Sequence, residues 1–357
     1  MPLRSRNAAL VPLLATALAF AANMPQTAYA CATCGCSLSA DAAMGYSDQP
    51  GWRVSLEFDF INQNQLRSGT GSISSSQVAA INDAGGDQEV EKQTINRYLT
   101  LGLSYRPDGD WNFNLLVPYV DRSHDTYGAA TNPLTPAQIS GASVESVGDV
   151  RFIASYQGFL PTHNFGVQLG VVLPTGNYGG PNADGTGIVG RNPVAFSAGP
   201  NAQNPSPDNL LDTSLQAGAG ATDVIVGAYY YQAISQDFDA FINGQFQSAL
   251  WHNLDQPGQD FRPGNLLNVS FGVRYEENPK LVPQLQINVT QKSPDQGVLA
   301  DTISTGGTAV YLSPGLTVSV ADNVQVYGFV QLPIYSRLDG YQLFPRWTAS
   351  AGVSYAF

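Results

Sequence analysis

Every thiol in this 357-residue chain falls within six positions, in the stretch "AYACATCGCSLS". Cys31, Cys34 and Cys36 stand in a C-x-x-C-x-C spacing. In an oxidising compartment Cys31 and Cys34 can close a small disulfide, as can Cys34 and Cys36 with more strain, which leaves one thiol free or paired with a partner. The alternative chemistry is soft-metal ligation. Three thiolates can wrap a Cu(I) ion, with Gly35 allowing the tight turn. The spacing is not that of haem attachment, because Gly35 follows Cys34, and it lacks the fourth ligand of a closed zinc site. A cysteine at the start of a mature chain also raises lipidation, for which Ala28-Tyr29-Ala30 is a poor box. The disulfide and metal readings both stay open.

The other reactive side chains are sparse. The histidines are His124, His163 and His252, placed in or near different connections. "DRSHD" at 121 to 125 holds the residue types of a nucleophile, base and orienter. On a strand, however, Ser123 and His124 point to opposite faces. No catalytic constellation is expected, and the chain reads as a non-enzyme.

The leader settles the compartment. Arg4 and Arg6 form a basic n-region, Ala8 to Ala22 is an apolar run, and Ala28-Tyr29-Ala30 fits a small-x-small cleavage site. Residues 1–30 are therefore read as a signal peptide cleaved near Ala30. Residues 31–51 are read as a Cys-containing periplasmic segment open to a periplasmic partner, and residues 52–357 as the folded domain. The formal net charge of −12 argues against a nucleic-acid partner. Only 12% of residues are charged, and beyond the leader no apolar run reaches the length of a membrane helix.

What must position these groups is a sheet. The closing "RWTASAGVSYAF" sets Trp347, Ala349, Ala351, Val353, Tyr355 and Phe357 against Arg346, Thr348, Ser350, Gly352 and Ser354. That is strict period two. "WRVSLEFDFI" at 52–61 alternates in the same way. Comparable patterns occupy 95–106, 111–120, 147–157, 164–174, 222–233, 238–249, 265–276, 281–292, 308–320 and 323–335. Twelve strands of about ten to thirteen residues suit a tilted bilayer crossing. Without water to satisfy its edges, such a sheet must close. The intervening connections alternate long and short from 67–94 through Pro107-Asp108-Gly109-Asp110 to the end, the pattern of external loops and periplasmic turns. The expected fold is all-β: a transmembrane antiparallel β-barrel of about twelve strands, with both termini periplasmic, set in outer-membrane lipid.

By the same parity Arg53, Glu57, Asp59, Arg106, Asp149, Arg151, Asp239, Arg274 and Lys292 face inward as pore-lining candidates. They either bridge neighbouring strands or line a constriction that selects solutes by charge. Trp52, Trp111 and Trp347 suit interfacial girdles, with Tyr105, Tyr275, Tyr355 and Phe357 near the periplasmic rim.

Four strings carry a resemblance: "SVGDVRFIASYQ" (146–157), "GVVLPTGNYGG" (170–180), "SPGLTVSVADNVQVYGFVQLPIY" (313–335) and the closing "GVSYAF". Together they resemble the outer-membrane barrel family described as the MetA pathway of phenol degradation, over roughly residues 95–357. The resemblance implies a channel for small, aromatic or hydrophobic compounds. The alternative function is a metal-binding or redox-associated outer-membrane protein whose C-x-x-C-x-C segment does the work.

Overall fold

The computed structural model describes residues 50–182, 185–203 and 209–357. The expected signal peptide and the segment with Cys31, Cys34 and Cys36 lie outside the described residues. From Gly51 onward the chain forms one antiparallel sheet that closes on itself. Its strands are β1 (Gly51–Gly69), β2 (Gly71–Ser72), β3 (Glu91–Arg106), β4 (Trp111–Thr126), β5 (Ser140–Val147), β6 (Val150–Tyr156) and β7 (Phe165–Leu173). After the small hairpin β8 (Tyr178–Pro181) and β9 (Ile188–Arg191) it continues with β10 (Ala221–Ala233), β11 (Phe238–His252) and β12 (Leu266–Tyr275). The last three are β13 (Leu281–Lys292), β14 (Gly307–Ala321) and β15 (Val324–Ala356).

Neighbours in sequence are neighbours in the ring, and β15 pairs with β1 to close it. The seam is long. It runs from Arg53 opposite Ala356 to Gly69 opposite Leu338, and Trp52 and Phe357 exchange backbone hydrogen bonds of 2.8 and 2.9 Å at its end. The aromatic last residue therefore fastens the ring shut, and no sheet edge is left for lipid to meet.

Two strands are not simple crossings. β5 and β6 lie end to end along β4, broken at Gly148-Asp149. β15 pairs with β14 through its first part and with β1 through its last, and it turns at Gly340, whose φ is +52°.

The connections separate by end. Residues 107–110, 157–164, 234–237, 276–280 and 322–323 are short and lie at the same end as Gly51 and Ala356. The connections at the opposite end include the nine-residue helix α1 (Ser75–Asp83), capped by a Ser74–Gln77 capping box. They are long enough to pack small cores of their own. Leu66, Val78, Ala79, Val90 and Leu343 form one, and Ala142, Val144, Phe196, Leu211 and Leu215 form another.

The outer face is an apolar belt. Leu56, Phe58, Leu99, Leu101, Leu103, Leu115, Leu169, Phe271, Leu285 and Val353 are all exposed there, as a lipid-facing wall requires. At the short-turn rim Trp52 stacks on Tyr105 at 4.3 Å, Trp111 meets Tyr156 at 4.9 Å, and Phe238 meets Tyr275 at 4.9 Å. Trp347 instead pairs with Phe60 at 5.6 Å, eight residues further along β1 than Trp52. At ~3.3 Å per residue and a tilt of ~40° this sets the two aromatic bands roughly 20 Å apart in depth.

Candidate functional site

The site is the lumen. Toward the short-turn end its inward side chains are cut off from solvent. Tyr229, Phe241, Tyr327 and Phe329 are each less than 5% exposed. Each ring covers a glycine of an adjacent strand or, for Tyr327, of the other arm of β15: Gly166, Gly272, Gly352 and Gly315, where an added Cβ would overlap the ring. Charged and polar groups at this level pair with each other. Tyr327 donates to Glu57 Oε2 at 2.6 Å, and Ser350 donates to Asp59. Arg274 Nε donates to Asp239 Oδ1 at 2.9 Å, with a second contact from Nη2 to Oδ2. Tyr229 donates to Gln157 Oε1 at 2.7 Å. Arg53 is half-buried on the inner parity of β1, and Arg106 closes β3 with its Nη1 buried and unpartnered.

Above this layer lies a cavity of about 340 Å³. Its wall has two chemistries. On the neighbouring strands β4, β6 and β7 it presents Leu116, Pro118, Val120, Ile153 and Val172. On β11, β12 and β13 it presents Asn243, Gln245, Gln247, Asn268, Ser270, Asn288 and Thr290. Asp223 of β10 stands between the two arcs. Ligand pockets combine apolar area with a few convergent polar groups in this way.

The outer side of the cavity is built by a loop. Thr213 to Ala219 apart from Leu215 line it, as do Phe261 to Gly264 apart from Arg262. Arg122 holds the first of these segments down. Its Nη1 donates to the carbonyls of Leu215 (2.6 Å) and Gln216 (3.1 Å), its Nε to Asn96 Oδ1 (2.5 Å), and its Nη2 to Tyr98 (2.8 Å). Gln216 clamps the loop on itself, donating to Leu211 O (2.8 Å) and Val194 O (3.1 Å) and accepting from Val194 N (2.7 Å).

The nine pore-lining candidates fall in two groups. Arg53, Glu57, Asp59, Arg106, Asp239 and Arg274 lie toward the short-turn end, although Asp59 reaches the cavity floor. Asp149, Arg151 and Lys292 line the cavity itself. Lys292 Nζ pairs with Asp295 Oδ1 at 2.6 Å. Asp149 does not sit in a ladder. It occupies the β5–β6 break and accepts from the backbone of Gly176 (2.9 Å) and Ala219 (2.8 Å), so it ties the long connection to the wall. Parity reasoning missed Arg122, Asp223 and Gln216. Arg122 and Asp223 were legible in principle, because each continues the inner parity of its strand. Gln216 lies in irregular structure and carries no periodic signal.

Ser123 and His124 do face opposite sides of β4. His124 is buried, with Nδ1 2.8 Å from Thr94 Oγ1, whereas Ser123 is only half-buried. Thr94 is itself fully buried, so the Thr94–His124–Glu89 line offers no open nucleophile. Among the described residues no three His, Cys, Asp or Glu side chains are grouped to hold a metal.

Comparison with solved structures finds this barrel in an outer membrane channel from Pseudomonas putida F1. The TM-score is 0.58 at 12% identity, over 87% of this chain and 96% of that one. Looser likenesses are the translocator domain of the autotransporter NalP from Neisseria meningitidis (TM-score 0.48, 8% identity, 88% and 91% covered) and the CymD monoaromatic hydrocarbon channel (0.41, 11%, 87% and 89%). At those scores neither bears on mechanism. No family model and no curated protein matches the sequence. The chain thus has the fold of an outer-membrane channel, and the resemblance drawn from its sequence motifs holds at that level.

Proposed function

We propose that this protein is a passive outer-membrane channel for small solutes with an aromatic or otherwise apolar body. The observation that carries the reading is a two-faced cavity inside a closed barrel whose exterior is an apolar belt. Twelve crossings follow if β5 and β6 count as one and the two arms of β15 as two. An even number leaves Gly51 and Ala356 on one side, and the short turns there suit the periplasm. Residues 1–30 would be removed on export, and 31–51 would lie on the periplasmic side. Arg53, Glu57, Asp59, Arg106, Asp239 and Arg274 would set charge selection at the inner end, and Asp149, Arg151 and Lys292 at the cavity.

Two measurements test this. Purified protein in planar bilayers should give discrete conductance steps absent from lipid alone. In intact cells, with the three native cysteines changed to serine, a single cysteine replacing Gln256 should react with an impermeant maleimide. One replacing Asp322 should react only after the outer membrane is permeabilised. No conductance, or the reverse labelling, would overturn the channel or its orientation respectively.

A further inference from the structure

We infer that the lumen cavity selects solutes that present hydrogen-bond donors, hydroxyl or ammonium, beside an apolar body, and rejects their carboxylate counterparts. This deepens the channel reading and rests on it. Three amide nitrogens of the polar arc are already engaged. Gln245 Nε2 donates to Gln168 Oε1 (2.8 Å), Gln247 Nε2 to Asp223 Oδ2 (2.5 Å), and Asn288 Nδ2 to Ser313 Oγ (2.8 Å). Three oxygens of the same wall have no partner: Asp223 Oδ1, Asn243 Oδ1 and Asn288 Oδ1, all buried. A buried acceptor without a donor carries a desolvation penalty, which a donor on the solute removes and an acceptor does not.

The cations of the cavity point the same way. Arg122 is committed to the Leu215 and Gln216 carbonyls, and Lys292 is paired with Asp295. Arg151 shares the cavity wall with two carboxylates, Asp149 and Asp223. An entering carboxylate would compete with these groups and would leave the three oxygens unserved. An ammonium or hydroxyl group meets acceptors instead, while Leu116, Ile153 and Val172 face its apolar part. A site built around such groups discriminates by hydrogen bonding far more than by size.

The test uses four probes built on one seven-carbon aromatic body: benzyl alcohol, benzylamine, toluene and benzoate. Their binding to the full protein in lipid nanodiscs is measured by titration calorimetry, with empty nanodiscs subtracted. The alcohol and the amine should bind about tenfold tighter than toluene or benzoate, the gain of one well-made, partly charge-assisted hydrogen bond. Asp223→Asn should remove the amine's advantage and keep the alcohol's, with heat-modifiable gel mobility confirming a folded barrel. The wild-type ranking stands as a test even if the variant does not fold. Equal affinities, or benzoate first, overturn the inference. Solute flux through protein in vesicles separates the two levels. Flux without preference leaves the channel and removes the selectivity; the predicted preference without any flux keeps the selectivity and removes the channel.

Discussion

Asp108 shows how a single side chain organises a barrel turn. In the connection 107–110 its Oδ1 accepts the backbone N–H groups of Asp110 and Trp111, both at 2.9 Å. Trp111 then starts β4 in register with Tyr156. The bonds from Trp111 and Asp110 hold the Asp108 carboxyl below its usual 3.8. A carboxylate whose value is depressed on folding stabilises the fold above the unfolded value, and the contribution is lost as pH falls through the folded one. Asp108→Ala should therefore unfold more readily than wild type in guanidinium above pH 3.8, and the gap should close as the pH falls below that. Faster amide exchange at Asp110 and Trp111 should accompany it. A gap that stays constant down to about pH 2.5 would mean that the charge of Asp108 contributes nothing.

At the scale of elements, strands of one barrel face two solvents along their length. Within the belt they alternate apolar-out and polar-in, and there parity placed Glu57, Asp59, Asp239, Arg274 and Lys292 on the inner face, where all are buried. Beyond the belt the outer face meets water, so the alternation fades although the ladder continues. β4 runs to Thr126 with Asp121, Ser123 and Asp125 outside and Arg122, His124 and Thr126 buried inside. The alternation ends at 120, so Arg122, the anchor of the inner loop, falls outside the strand read from the sequence, and most of β5 falls in the connection that follows. β10 hides its parity for the opposite reason. Ile225 and Tyr229 fill the lumen while Val224, Val226 and Tyr230 stand on the opposite parity, so both faces read as apolar and Asp223 does not stand out. The glycine–aromatic pairs are register features that a single strand cannot display, because Gly315 needs Phe329 across the ladder. Gly315→Ala should overpack that pair and destabilise the barrel by about 1–3 kcal/mol. Phe329→Leu in the same chain should recover most of the loss. Unfolding midpoints in a double-mutant cycle measure the coupling, and additive losses would show that ring and glycine do not interact.

The whole molecule puts its apolar surface outside and its hydrogen-bonded polar groups inside, the reverse of a water-soluble sandwich. That inversion is stable only if the belt meets lipid. Leu101 lies near the centre of the belt, exposed, and pairs with Leu56 on one side and Val117 on the other. Its sequence neighbour Thr100 faces the cavity. Leu101→Arg would hold a guanidinium in hydrocarbon and should cost ~2–4 kcal/mol of stability in the bilayer. Urea unfolding of protein folded into lipid vesicles measures it. Thr100→Arg introduces the same charge one residue away, into a polar lumen. It should leave the unfolding midpoint within ~1 kcal/mol of wild type while shifting the ion selectivity of the conductance toward anions. The comparison isolates the direction in which a side chain points from its chemistry and its position along the strand. Equal costs for the two arginines would mean that the belt does not face lipid, and the assignment of inside and outside would fail with it.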